Sequence, residues 1–161
     1  MTAQTSRRLA RSAPCDPARL TPALPPAYEA FCALNREGYL DYARVHLPSA
    51  QAHQLVRSVL GELAVGWTGI VSHPSPPARA WELMRSRVHT VARIPPVLET
   101  CPAQQYDALV LNCRLGYSSM AAASVIGLDA SKVRYLVLSA PSERRRAVRH
   151  LQPRSAVCQL T

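Results

Sequence analysis

From residue 28 onward, positions able to bury together recur at three- and four-residue steps. Tyr28, Phe31, Cys32, Asn35, Tyr39, Tyr42, Ala43 and His46 form one stripe, interrupted by Pro48, and this period predicts a first long helix. Ser49 is placed to cap a second helix, in which Ala52, Leu55, Val56, Val59 and Leu63 share one side, extended by Leu60, Ala64 and Trp67. The opposite side carries His53, Gln54, Arg57, Ser58 and Glu62. Glycines and prolines crowd the span from Thr68 to Pro77, which reads as a loop. A third helix follows, with Trp81, Met84, Val88 and Val91 inward and Arg79, Arg85, Arg87 and Arg93 outward, until Pro95 and Pro96 end it.

A second series opens at Pro102, whose fixed φ suits a first helical turn. Tyr106, Leu109, Val110 and Cys113 make its buried stripe, and Gly116 is suited to a left-handed C-cap. Ser118 or Ser119 then caps a short helix whose Ala122, Ala123 and Ile126 face inward, and Gly127 turns the chain. Asp129 is placed as the N-cap of a further helix, where Val133, Leu136, Val137 and Ala140 bury together before Pro141 closes it. Arg144, Arg145, Arg146 and Arg149 fall on one more short helix. The expectation is an all-α chain of two small helical domains, at residues 27–93 and 102–150, joined by a short linker at 94–101. Residues 1–26 mix Arg, Ser, Ala and Pro and cannot bury enough apolar area to offset their ordering entropy, so they read as a disordered basic arm; residues 151–161 read as a tail.

Charge adds a partner class to this picture. Lys and Arg number 19 against 10 Asp and Glu, a formal net charge of +9, and Lys132 is the single lysine. Such an excess favours a polyanionic partner, nucleic acid first, and Arg7, Arg8 and Arg11 of the arm are placed to touch its phosphates. Five cysteines without a C-x-x-C pair suggest neither a disulfide framework nor a zinc site, and five scattered histidines lack ligand spacing. No metal and no cofactor are expected. No signal-peptide-like apolar run opens the chain and none is long enough to span a bilayer, so a cytoplasmic protein without a membrane partner is expected. The acidic residues Asp16, Asp41, Asp107 and Asp129 read as lying at helix ends or outward positions without a partner. With no phosphate loop and no nucleophile motif, an enzyme is not expected and no catalytic residue is assigned.

A small-residue helix, a glycine turn and a capped second helix match the helix-turn-helix, in which alanine lets two helices cross closely and glycine takes the tight connection. With Asp129 as cap, the outward side of the second helix offers Ser131, Lys132, Arg134 and Tyr135, where such helices meet base edges and phosphates of double-stranded DNA.

The stretch from Pro102 to Ala140 carries a Pro-x-x-Gln start, an apolar Val-Leu pair, an arginine before Leu-Gly-Tyr-Ser, an Ala-rich helix, an Ile-Gly-Leu turn and Lys-Val-Arg before a closing Ala. In these features it resembles region four, the C-terminal DNA-binding domain, of bacterial sigma factors of the extracytoplasmic-function type. The stretch from Tyr28 to about Val91 is more faintly similar to region two, through Phe31, Tyr39-x-x-Tyr-Ala, Leu55-Val56 and Trp67.

The resemblance implies that the second unit reads an upstream promoter element through Ser131, Lys132, Arg134 and Tyr135, with Ser119 beside them at the start of the preceding helix. It implies that the first unit binds core RNA polymerase through the side carrying His53, Gln54, Arg57 and Ser58. Arg79, Arg85 and Arg87 would then stand near promoter phosphates, and the loop from Thr68 to Pro77 near the melted strand. Family members usually carry an acidic pair and then Leu-Val-Gln-acidic in the second helix, where this chain has His53 and Gln54, then Leu55-Val56, Arg57 and Ser58. Two other readings remain open: a stand-alone helix-turn-helix regulator, and a sigma-like interaction protein that occupies sigma or anti-sigma partners without binding core polymerase. The sequence expectation is a sigma-factor-like transcription initiation protein.

Overall fold

The computed structural model describes residues 24–153. The described residues form helices and connecting turns, with no strand among them: α1 Pro26–His46, α2 Ser49–Val65, α3 Trp67–Val71, α4 Pro76–Val91, α5 Pro96–Glu99, α6 Ala103–Leu109, a π-helical turn Val110–Arg114, α7 Ser119–Ile126, α8 Ala130–Leu138 and α9 Ser142–Arg149. Apart from residues 24–26 and 151–153, the expected arm and tail lie outside the described residues, Arg7, Arg8 and Arg11 included.

Periodicity placed α1 well. Of its expected stripe every member is buried except Cys32, which is half-buried. In α2 the buried positions are Ala52, Val56, Val59 and Leu63, while Leu55 lies half-buried. Its N-cap position is Pro48 rather than Ser49, because the extended backbone that proline and its predecessor prefer ends one residue earlier than the hydroxyl suggests.

The expected loop from Thr68 to Pro77 shrinks to Ser72–Ser75. Gly66 ends α2, and Trp67 seats its indole 5.3 Å from the rings of both Tyr28 and Phe31, which anchors the extra turn α3. Pro76 and Pro77 open α4, where a missing N–H costs nothing. Val91 was expected inward but is 59% exposed, because α4 ends there and the chain turns extended at Ala92. Within the span 94–101, α5 buries Leu98.

The C-terminal half is built around α6, in which five consecutive residues, Gln105 to Leu109, are buried. Val110 and Leu111 continue the run in the π turn. That turn inserts one residue into the helical repeat, which rotates Cys113 off the stripe to a half-buried position. Gly116 at φ 75° and Gly127 at φ 70° take left-handed backbone, as a C-cap and a tight turn require.

Helices α1, α2 and α4 pack together, α8 packs on both α6 and α7, and α7 also lies against α1 and α4. Side chains of both halves belong to one hydrophobic cluster, from Tyr28 and Tyr39 through Met84 to Leu109, Val133 and Val148. Each large apolar side chain buried in this way contributes about 1.5–3 kcal/mol. At Gly38 an added Cβ would stand 2.8 Å from a methyl of Val125, so α1 and α7 cross at a side-chain-free position.

Candidate nucleic-acid interface

Ser118 opens α7 by accepting a hydrogen bond from the Ala121 amide at 3.1 Å, while Ser119 follows as the first, half-buried helical residue. Ala122, Ala123, Val125 and Ile126 are buried. The turn Gly127-Leu128-Asp129 then starts α8, with Asp129 at the N-cap position but with no hydrogen bond from its carboxylate to the helix. Val133, Leu136 and Ala140 turn into the core and Val137 is half-buried, as the period requires. Gln105 fixes the far end of α8 by donating from Nε2 to the Leu136 carbonyl at 3.0 Å, and Arg144 of α9 donates to Gln105 Oε1 at 3.1 Å.

This packing leaves Ser131, Lys132, Arg134 and Tyr135 exposed together. The Lys132 ammonium lies 5.7 Å from the centre of the Tyr135 ring, a cation–π contact. Neither Lys132 nor Arg134 forms an ion pair with a carboxylate among the described residues. The helix therefore offers two uncompensated cations, a hydroxyl and a phenol on one convex side, a chemistry suited to base edges and phosphates.

The arginines expected near promoter phosphates are placed differently. Arg79 pairs with Glu82 at 3.0 Å and Arg87 with Glu62 at 2.6 Å, both at the surface. Arg85, expected outward, instead leans into the body, 3.5 Å from the carboxylate of Asp107. Asp107 itself had been read as lacking a partner and is 2% exposed. It accepts from Tyr42 Oη at 2.7 Å and from Trp81 Nε1 at 2.8 Å, so one carboxylate ties α1 and α4 to α6.

Around it lies a polar cluster that the sequence concealed. His46 Nδ1 lies 2.8 Å from the Tyr42 carbonyl, which can only accept, so its Nε2 accepts from Tyr106 Oη at 2.7 Å. His89 Nε2 meets Tyr42 Oη at 3.0 Å and completes the set. Burial pushes the Asp107 carboxyl up to about 6, against the opposing pull of Trp81, Tyr42 and Arg85. Burial, with His46 and Arg85 nearby, lowers His89 to about 4, and burial lowers His46 too. The available signal was His46 itself, which with Asn35 interrupts a mostly apolar and aromatic stripe.

His53, Gln54, Arg57 and Ser58 are all exposed on α2. Gln54 and Ser58 border a groove of about 390 Å³ whose floor includes Leu47, Leu55 and Val59, between α2 and α4. His53 and Arg57 border a second cavity of about 320 Å³ against α1, and His53 Nε2 takes a hydrogen bond from Arg44 at 3.0 Å. Among the described residues no group of three or more His, Cys, Asp or Glu is arranged to hold a metal, and no helix is long and apolar enough to cross a membrane. No protein-family model, no curated protein and no solved structure matches the chain.

Proposed function

We propose that the chain is a transcription initiation protein of the sigma type, which brings RNA polymerase to promoters by laying α8 in the major groove of the upstream element. The observation that carries this reading is the α7–Gly127–α8 arrangement, whose buried side is completed by the protein's own core while Ser131, Lys132, Arg134 and Tyr135 stand free. Ser119, at the start of α7, sits where a helix-turn-helix meets the flanking backbone. A DNA partner would make the cytoplasm its site of action.

Duplexes enriched from a random pool by the full chain test the DNA step. Binding should weaken with salt by about 0.9 log unit per log unit of salt for each phosphate neutralised. Lys132→Ala with Arg134→Ala should cost roughly 1–3 kcal/mol for each side chain that meets a base. Unchanged affinity in the double variant removes α8 as the reading helix. Co-purification with core RNA polymerase tests the sigma step, and its loss in a variant carrying Gln54→Lys, Arg57→Glu and Ser58→Lys would locate the contact on the side of α2 that bears His53, Gln54, Arg57 and Ser58.

A second reading, a stand-alone helix-turn-helix regulator, is favoured by one observation. Arg79, Arg85 and Arg87 are each engaged by a carboxylate of the same chain, which leaves them poorly disposed towards a melted strand. DNA binding without polymerase association would select it.

A further inference from the structure

Four outward residues of α8, Ser131, Arg134, Tyr135 and Leu138, follow an i, i+3, i+4, i+7 spacing. A helix lying in a major groove brings four side chains to base edges at this spacing. Two of the four are largely apolar: Tyr135 is 63% exposed and Leu138 is 64% exposed. Met120 of α7 adds a third exposed apolar side chain, at 76%. Other exposed apolar side chains, such as Leu34 and Val65, stand on other helices, whereas Tyr135 and Leu138 lie one turn apart on the side of α8 that carries Arg134, an apolar pair that a partner of this side would cover.

Charge identifies the class of that partner. Helix α8 contains no Asp or Glu, and its two cations are unpaired with carboxylates among the described residues, which fits a polyanion. Within the major groove of duplex DNA the prominent apolar feature is the 5-methyl group of thymine, the other groups read there being hydrogen-bond donors and acceptors apart from the small C5–H of cytosine. Leucine and the ring carbons of tyrosine gain contact from such a methyl, and leucine gains nothing from a phosphate, which only the tyrosine hydroxyl could meet.

Resting on the assignment of α8 as the groove-entering helix, we propose that Leu138 and Tyr135 seat thymine methyl groups, so that the bound element carries A·T pairs beside the base reached by Arg134. Leu138 is then a specificity-determining residue for DNA, although it closes the helix and carries no polar group.

The test uses the full chain and the duplex it enriches from a random pool. Each thymine of that duplex is replaced in turn by uracil, which removes the methyl and leaves every hydrogen-bonding group in place. One or two positions should lose about fourfold in affinity, the factor expected for one methyl-sized group withdrawn from apolar contact. In Leu138→Ala the loss at one of these positions should vanish, and in Tyr135→Ala the loss at the other. Both side chains are exposed, so neither change disturbs the core. Uracil tolerated at every position, or an equal loss in wild type and both variants, overturns the proposal while leaving DNA binding intact. A wild-type chain that dimerises through this side without DNA, and becomes monomeric in Leu138→Ala, also overturns it. Failure to enrich any duplex removes the reading of α8 as a DNA-binding helix, and this inference with it.

Discussion

Two opposite proton equilibria meet around Tyr42. The Asp107 carboxyl, raised from 3.8 to about 6, holds a proton in the folded chain that it has lost in the unfolded one at the same pH. Its contribution to stability is complete below 3.8 and disappears as pH rises through 6. His89, lowered from 6.5 to about 4, acts in reverse: its contribution is complete above 6.5 and disappears as pH falls through 4, and His46 shifts in the same direction. Between pH 4 and 6 the carboxyl therefore offsets part of the histidines' effect. Asp107→Asn should steepen the fall in Tm on acidification across that window relative to wild type, as thermal melts at half-unit pH steps would detect. Parallel curves would mean that the carboxyl does not take up its proton inside the fold. Residues of this kind were poorly legible in the sequence. Val133 and Leu136 could be placed because α8 has one buried side, but Asp107 belongs to an unbroken buried run from Gln105 to Leu111, where period carries no information. Its partners Tyr42 and Trp81 lie 65 and 26 residues away along the chain.

Among the elements, the α7–α8 turn combines two independent demands on one residue. Gly127 takes φ 70°, which most L side chains avoid, and an added Cβ would collide with the Ala78 amide and stand 2.6 Å from the Ala78 Cα. The obstacle is backbone at the start of α4, which cannot step aside as a side chain would. Gly127→Ala should destabilise the protein by roughly 2–4 kcal/mol, the sum of left-handed strain and overpacking, measurable as a lower denaturant midpoint. A loss below 0.5 kcal/mol would show that α4 does not press on this turn in solution. The glycine and its turn were visible from sequence because backbone chemistry is local. The contact with α4 was not, since it joins residues about fifty positions apart. The same distinction explains Pro76 and Pro77: proline reports where a helix cannot continue, and the identical chemistry serves at a helix start.

For the molecule as a whole, the decisive fact is what crosses between residues 27–93 and 102–150. Asp107 and Tyr106 take hydrogen bonds with Tyr42, Trp81 and His46, Gly38 admits Val125, and the Gly127 turn rests on Ala78. Opening this boundary would leave Asp107 and its donors without partners until water reached them and would expose apolar surface on α1, α4 and α7. Such coupling predicts a single cooperative transition. Trp81 donates to Asp107 across this boundary, so the emission that follows the first half alone is that of Trp67, packed on Tyr28 and Phe31 and read in a Trp81→Phe variant, while amide exchange in α6, α7 and α8 follows the other. The two probes should give coincident denaturant midpoints. If the amides of α6–α8 open at lower denaturant than the tryptophan emission changes, the halves are separable, and a sigma-type protein could reach two promoter elements with its two ends. Coincident midpoints instead mean that the two halves move as one body, so that under the proposed function two-point promoter contact would require the Asp107 cluster to open first.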